Sequence, residues 1–374
     1  MSSTDVFALS IHADYRCRHS GVCCSTDWHV PIELPVYRTL TEAVESGRLR
    51  TQESARHLVP FIVEPDLPEG TAAMFERTEA GECVFLEHGT KLCIVHRDLG
   101  ESALPATCRH FPRLAVRDTR GTFLTLSHFC PTAASMLFRD DCPLTIVASP
   151  AAFPSADYEG LVVTDADLPP LLSPTMLMDG PGYSAWERHM VERCGLPGIG
   201  PDAVLATLQR DARLLREWKP GGATLVDAIR DLPYEPEHAA AIDSLGASTA
   251  LYLQVLNAVP DDLRPQPDEF GLETAFARYV SPRWSTFTVP LNYYIAAKAF
   301  ASWTAYQGRG VMTIVRGLEA ALAVVRIESA RQCRNTECML DADLLREAFR
   351  SADFILNHLA VGEDLASSWS VAES

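Results

Sequence analysis

The chain has 374 residues and a formal charge of −17, from 32 Lys and Arg against 49 Asp and Glu. That balance argues against general nucleic-acid binding, which draws most of its affinity from Lys and Arg on phosphates. A hydrophobic content of 47% can build a sizeable core and argues against wholesale disorder.

The length allows two or three domains. No apolar run reaches the roughly 18 residues that a membrane span needs. The N-terminus carries Asp5, His12 and Asp14 rather than a basic-then-apolar leader, so no signal peptide is expected. The expected compartment is the cytoplasm, with no membrane partner.

Residues 1–140 read as short elements between turn signals such as Pro65-Asp66-Leu67-Pro68-Glu69-Gly70. A helix is expected over Pro35–Glu45, ending near Gly47, and a short one from Leu92 to Gly100. Arg113–Arg117 and Thr122–Ser127 flank Asp118-Thr119-Arg120-Gly121 and read as a hairpin. Prolines at 143, 150, 154, 169, 170, 174 and 181 then mark residues 141–200 as a wrapping linker with little regular structure. Asp165-Ala166-Asp167 within it reads as solvated.

From Asp202 the apolar spacing becomes helical. Leu205, Leu208, Ala212, Leu215 and Trp218 recur at steps of three and four, and Pro220-Gly221-Gly222 stops the run. Ile242 to Leu256, Val289–Tyr306 and Val311–Gln332 are further helices by the same spacing. Leu345, Ala348, Ala352, Ile355 and Leu359 form a last stripe. Asp341 is its N-cap, and Leu340 with Leu345 forms a hydrophobic staple. The expected fold is mainly α, with a small irregular α+β cysteine-rich metal-binding N-terminal domain (1–140), the linker (141–200) and a helical C-terminal domain (201–374).

Cysteine carries the chemistry. Of eleven in the chain, seven fall early: Cys17, Cys23, Cys24, Cys83, Cys93, Cys108 and Cys130. In a reducing compartment such clustering points to metal ligands or catalytic thiols rather than disulfides. Zinc and iron–sulfur centres usually take four thiolates, and seven exceed one such set. Either there are two centres, with His19, His96, His110 or His128 completing the second, or three cysteines are not ligands. Adjacent side chains diverge in most backbone conformations, so Cys23 and Cys24 serve different centres or only one of them ligates. The count and the adjacent pair favour iron–sulfur (4Fe-4S) over zinc. Cys142 and Cys194 read as packing, and Cys333 and Cys338 as a pair at a helix end outside the centre.

Cys17-x-x-Ser20-Gly21-x-Cys23-Cys24 resembles the opening motif of the YkgJ-type cysteine-cluster family, described as zinc- or iron-chelating. Cys83-Val84-Phe85-Leu86, Cys93, Cys108-Arg109-His110-Phe111-Pro112 and Cys130 match its later motifs. Ser20 stands where that family has a second cysteine. A serine oxygen replaces thiolate poorly on a soft metal, so the site uses three cysteines there, recruits His19, or leaves a position open.

Within that superfamily Cys23-Cys24-x-x-x-Trp28, Leu99-Gly100-Glu101, Leu104–Cys108, Pro112-Arg113 and Leu126-Ser127-x-x-Cys130-Pro131 resemble flagellin lysine N-methylase. Leu291-Asn292-Tyr293 and Asn357-His358 do so more faintly. This resemblance implies methylation of a protein lysine from S-adenosylmethionine, with flagellin as partner. Arg109, beside Cys108, would then face the centre or the carboxylate of the cofactor, the alternative being an ion pair with a nearby Asp or Glu.

A neutral lysine amine is already a good nucleophile, so transfer needs positioning and deprotonation rather than a metal. The metal would be structural, or an open iron would bind the amino-acid end of the cofactor. No catalytic residue stands out. The alternative is a non-catalytic zinc- or iron-binding protein with a structural, carrier or sensing role. His96-Arg97-Asp98-Leu99 mimics a kinase catalytic loop, but Ala103 stands where that motif needs Asn. No phosphate-binding loop, Rossmann glycine motif or CxxxCxxC is present.

Overall fold

The computed structural model describes residues 5–371 apart from 27, 29, 66, 68, 141, 154–157, 159, 163–169, 240–241, 266–269 and 308–309. Asp165 and Asp167 therefore lie outside the described residues. The chain is mainly helical and divides into two compact units. One comprises residues 16–114 and 130–132, the other residues 1–15, 115–129 and 133–374. No helix among the described residues is long and apolar enough to cross a membrane.

The cysteine-rich unit is smaller than the expected span of 1–140. The strand Val6–Leu9 explains the difference: it pairs in parallel with Gly121–Leu126 (Phe7 opposite Phe123) and antiparallel with Ile146–Ala148 (Ala8 opposite Val147). These segments therefore belong to the sheet of the larger unit.

In the cysteine-rich unit Pro31–Glu33, Thr71–Phe75 and Phe61–Ile62 form an antiparallel sheet with Thr71–Phe75 in the middle. The helix Leu34–Glu45 follows directly, with Pro35 in its first turn, where a missing N–H costs nothing. It buries Leu40 and Ala43 in a core that includes Ile32, Phe75, Val84, Phe85, Ile94 and Val95. Gly47, at φ 74°, turns the chain beyond its end. The short second helix runs over Ile94–Leu99 and stops at Gly100.

In the larger unit, Arg113–Asp118 and Gly121–Leu126 are neighbours in a five-stranded sheet, as the hairpin pattern predicts. The remainder is helical. The helix Val311–Thr336 is apolar on most of its circumference, which marks a buried central helix. Pro201–Arg216, Gly246–Asn257, Thr288–Ala299 and Ala342–Phe354 pack on it. Asp341 caps the last of these, its carboxylate accepting the N–H groups of Asp343 and Leu344 at 3.0 and 2.9 Å.

Two expectations change. Residues 180–194 are a full helix, Gly180–Cys194, and not linker. Asp179 caps it by accepting the Gly182 N–H at 2.6 Å, and Pro181 sits in the first turn, where proline starts a helix rather than breaking one. The single helix expected over Val289–Tyr306 is split into Thr288–Ala299 and Thr304–Gln307. Ala301 adopts φ 54° between them and donates its N–H to the buried carboxylate of Glu187 at 3.0 Å.

Candidate functional site

The thiols are placed by close backbone approaches within the cysteine-rich unit. Gly21, at φ 74°, opens the short helix Val22–Ser25 that carries Cys23 and Cys24. A Cβ on Gly21 would stand 3.0 Å from Lys91 Cβ and 3.2 Å from its carbonyl oxygen, so glycine lets this segment lie against the one leading to Cys93. The Cys83 N–H donates to the Cys24 carbonyl at 2.7 Å, and the Trp28 indole N–H to the Cys23 carbonyl at 2.9 Å.

Between Cys83 and Cys93 the chain doubles back. Glu87 N–H reaches the Leu92 carbonyl at 2.9 Å, and Ile94 N–H the Phe85 carbonyl at 2.8 Å. Gln52, buried, donates its side-chain amide to the Cys83 carbonyl at 3.0 Å. Cys108 rides on the helix Ala106–His110, whose first N–H donates to Glu33 at 3.0 Å.

Five thiols from four separate segments thereby act on one another: Cys23, Cys24, Cys83, Cys93 and Cys108. The Sγ atoms of Cys23 and Cys24 are 3.9 Å apart. Hydrogen bonding of Cys24 with Cys23 and Cys93 raises its pKa well above the usual range, and burial adds to that rise. The same contact draws Cys93 down to about 7 against its burial, helped by the N–H groups of His96 and Val95 at the helix start. Cys23 is likewise lowered, first by Cys24. Burial pushes Cys83 up to about 12 and raises Cys108 as well. Cys23 and Cys93 are thus shifted toward the thiolate, and Cys24, Cys83 and Cys108 toward the thiol.

The cation facing these thiols is Arg77, which favours the thiolate at Cys23, Cys83 and Cys108. Its guanidinium donates to the carbonyls of Cys24, at 3.2 Å, and Trp28, while its Nε is buried with no hydrogen-bond partner among the described residues. No motif spacing singles out Arg77. Its position six residues before Cys83, opposite it in a β-bridge, emerges only from the fold. Arg109 is half-buried, and the influence recorded for its charge is on His110, whose pKa is lowered first by burial and then by Arg109 and Arg113.

The other sequence candidates are placed as follows. Cys17 is exposed, and its sulfur accepts the His19 N–H at 3.4 Å. Cys130 is buried in the same unit. The rings of His19 and His96 lie 6.2 Å apart, and Ser20 is exposed. His128 belongs to the larger unit, where its Nδ1 lies 3.1 Å from Asp353. Cys194 and Cys333 are packed in the core of that unit.

The donor chemistry fits a soft metal. Thiolates are its preferred ligands, and the orphaned Arg77 Nε supplies a donor that an anionic centre would satisfy. The 3.9 Å between Cys23 and Cys24 is close to the edge of about 3.8 Å that tetrahedral zinc–sulfur bonds of about 2.3 Å imply. Among the described residues, however, no three or more His, Cys, Asp or Glu side chains already stand in the arrangement of a metal site. No model of a known protein family matches the chain, and neither a curated protein nor a solved structure does.

Proposed function

We propose that the chain is a cysteine-cluster metalloprotein of the reducing cytoplasm. Its centre, an iron–sulfur cluster or zinc, is held by thiolates drawn from Cys23, Cys24, Cys83, Cys93 and Cys108. The observation that carries this reading is that five thiols from four chain segments influence one another electrostatically beside Arg77, with Cys24 in hydrogen-bond contact with Cys23 and Cys93. Thiols serving only as packing have no need of a facing guanidinium, and the charge of the half-buried Arg77 favours an anion beside it. Cys17 and Cys130 are the remaining candidates to complete the set.

The resemblance to flagellin lysine N-methylase extends the proposal to methylation of a protein lysine from S-adenosylmethionine. In that role the thiolate centre supplies either the order of an underpacked unit or an open metal for the cofactor. Arg109 is the residue offered for the cofactor carboxylate. The acidic surface implied by a charge of −17 favours the approach of a cationic lysine substrate.

Anaerobic purification with metal analysis and a visible spectrum tests the metal. Iron with visible absorption identifies a cluster, colourless stoichiometric zinc identifies the other centre, and protein without either metal refutes the reading. Calorimetric titration with S-adenosylmethionine, followed by mass spectrometry of co-expressed flagellin, tests the activity. Failure of both on metal-replete protein leaves the metal-binding reading alone.

A further inference from the structure

The larger unit contains a cavity of about 50 Å³, walled by Lys298, Ser302, Trp303, Thr304, Asn357 and Trp369 and by apolar side chains of the helix Val311–Thr336. At roughly 10–15 Å³ for each enclosed water, it has room for about three to five waters or one molecule of similar size. Gly317 shapes the wall: a Cβ there would stand 2.9 Å from Trp369 Cζ3, so its absence lets the indole seat.

The polar groups of this wall are hydrogen-bond donors only partly met by acceptors. Asn357 Nδ2 and Trp369 Nε1 are buried with no partner among the described residues, and Trp369 is 3% exposed. The Lys298 ammonium has three N–H groups and directs one to Asp353. Ser302 and Thr304 share a hydrogen bond of 2.7 Å, which leaves one hydroxyl proton without an acceptor among the described residues. Asp353 cannot serve them, because its oxygens already receive the His128 N–H at 2.6 Å, His128 Nδ1 at 3.1 Å, the Tyr294 hydroxyl at 2.8 Å and Lys298. An unmet buried donor is costly, so the complement of this wall is a ligand rich in lone pairs.

The geometry points to a binding site for a small carboxylate with a short alkyl tail, of the size of acetate. A carboxylate offers about four lone-pair positions on two oxygens, enough for Lys298, Asn357 and Trp369 together, with the ammonium assisting. Ile314 and Leu318 on the central helix, with the Trp303 ring, take the tail. A sulfate or phosphate would set oxygens against that apolar side. The site belongs to the unit without the thiol cluster and does not depend on the metal reading.

Saturation-transfer difference NMR of the full chain with acetate tests this, using Trp369→Phe and Asn357→Leu, each checked by circular dichroism. Saturable transfer to the acetate methyl protons is expected. Formate should displace it and sulfate should not, and both variants should weaken it at least tenfold. Trp369→Phe removes the N–H and keeps an aromatic ring, so it decides the matter if Asn357→Leu does not fold. Absence of saturable acetate binding, meaning a cavity filled by water alone, overturns the proposal. Equal displacement by sulfate, or binding that survives Trp369→Phe, also overturns it.

Discussion

Nδ1 of His128 lies 3.1 Å from Oδ2 of Asp353, and both side chains are wholly buried. Burial opposes the charge of Asp353, but Lys298 and His128 outweigh it and hold the carboxyl well below the usual carboxylate range. On the other side of His128, Nε2 faces Nε2 of His12 at 3.3 Å. Two histidines, a carboxylate, a tyrosine and a lysine thus form one buried polar network within the larger unit.

This network makes stability depend on pH. His358, bonded to the Ser127 hydroxyl at 2.8 Å, is pushed down to about 4, chiefly by burial, and His12 is lowered by burial and then by His128. In the unfolded chain a histidine titrates near 6.5, so below that pH the unfolded state binds more protons than the folded one. The stability from His358 is complete above about pH 6.5 and is lost as pH falls toward about 4, at up to about 1.4 kcal/mol per pH unit for each such group. The contribution of Asp353, whose folded pKa is depressed, is present above about 3.9 and is lost only at lower pH. Urea midpoints should fall between about pH 7 and pH 5, and His358→Gln should flatten that slope. A midpoint constant across this range would contradict the assignment.

Gly310→Ala should be among the most damaging single-methyl changes in the larger unit. Gly310 has φ 119°, and a Cβ there would lie 2.7 Å from the Leu172 carbonyl oxygen and 3.0 Å from Ser173 Cα, which are backbone atoms with little freedom to yield. Gly198, at φ 77°, has nothing within 4 Å and is the control. Gly198→Ala carries only the left-handed penalty of about 1 kcal/mol, and Gly310→Ala should exceed it by at least about 1 kcal/mol of overpacking. Thermal melting of the two variants side by side measures the difference.

Asp341→Ala should cost about 1 kcal/mol, because two N–H groups of the helix Ala342–Phe354 lose their acceptor. Asp341→Asn should recover most of it, since asparagine caps nearly as well. Chemical denaturation resolves the two.

Much of this architecture is legible in the chain, because apolar spacing reports burial directly. The stripe from Leu345 to Leu359 and the cap at Asp341 stand where the pattern places them. Pro181 and Ala301 are not legible. Proline punctuates a loop or begins a helix depending on a cap two residues earlier. The bend at Ala301 is held by Glu187, which is remote in sequence. At the thiols, clustering of cysteines marks the region. It does not reveal which five meet or that Arg77 faces them, because those contacts run through the backbone approach of Gly21 to Lys91. The network of His12, His128, Lys298 and Asp353 has no spacing signature at all.

The cysteines should separate into two classes by substitution. Cys108→Ser should lower metal content and destabilise the cysteine-rich unit, since binding free energy at such sites is folding free energy. Replacing Cys142, Cys194, Cys333 and Cys338 together by alanine should leave metal stoichiometry unchanged. Metal analysis of both proteins decides, and loss of metal in the fourfold variant would place the ligand boundary elsewhere.

X-ray absorption at the metal edge of anaerobically purified protein tests the central claim most directly. The account predicts a shell dominated by sulfur at about 2.3 Å, which loses intensity or disappears in Cys93→Ser and Cys108→Ser. A shell of nitrogen and oxygen only, or protein that holds no metal while Cys23, Cys24, Cys83, Cys93 and Cys108 all remain free to titrate with a thiol reagent, would contradict it.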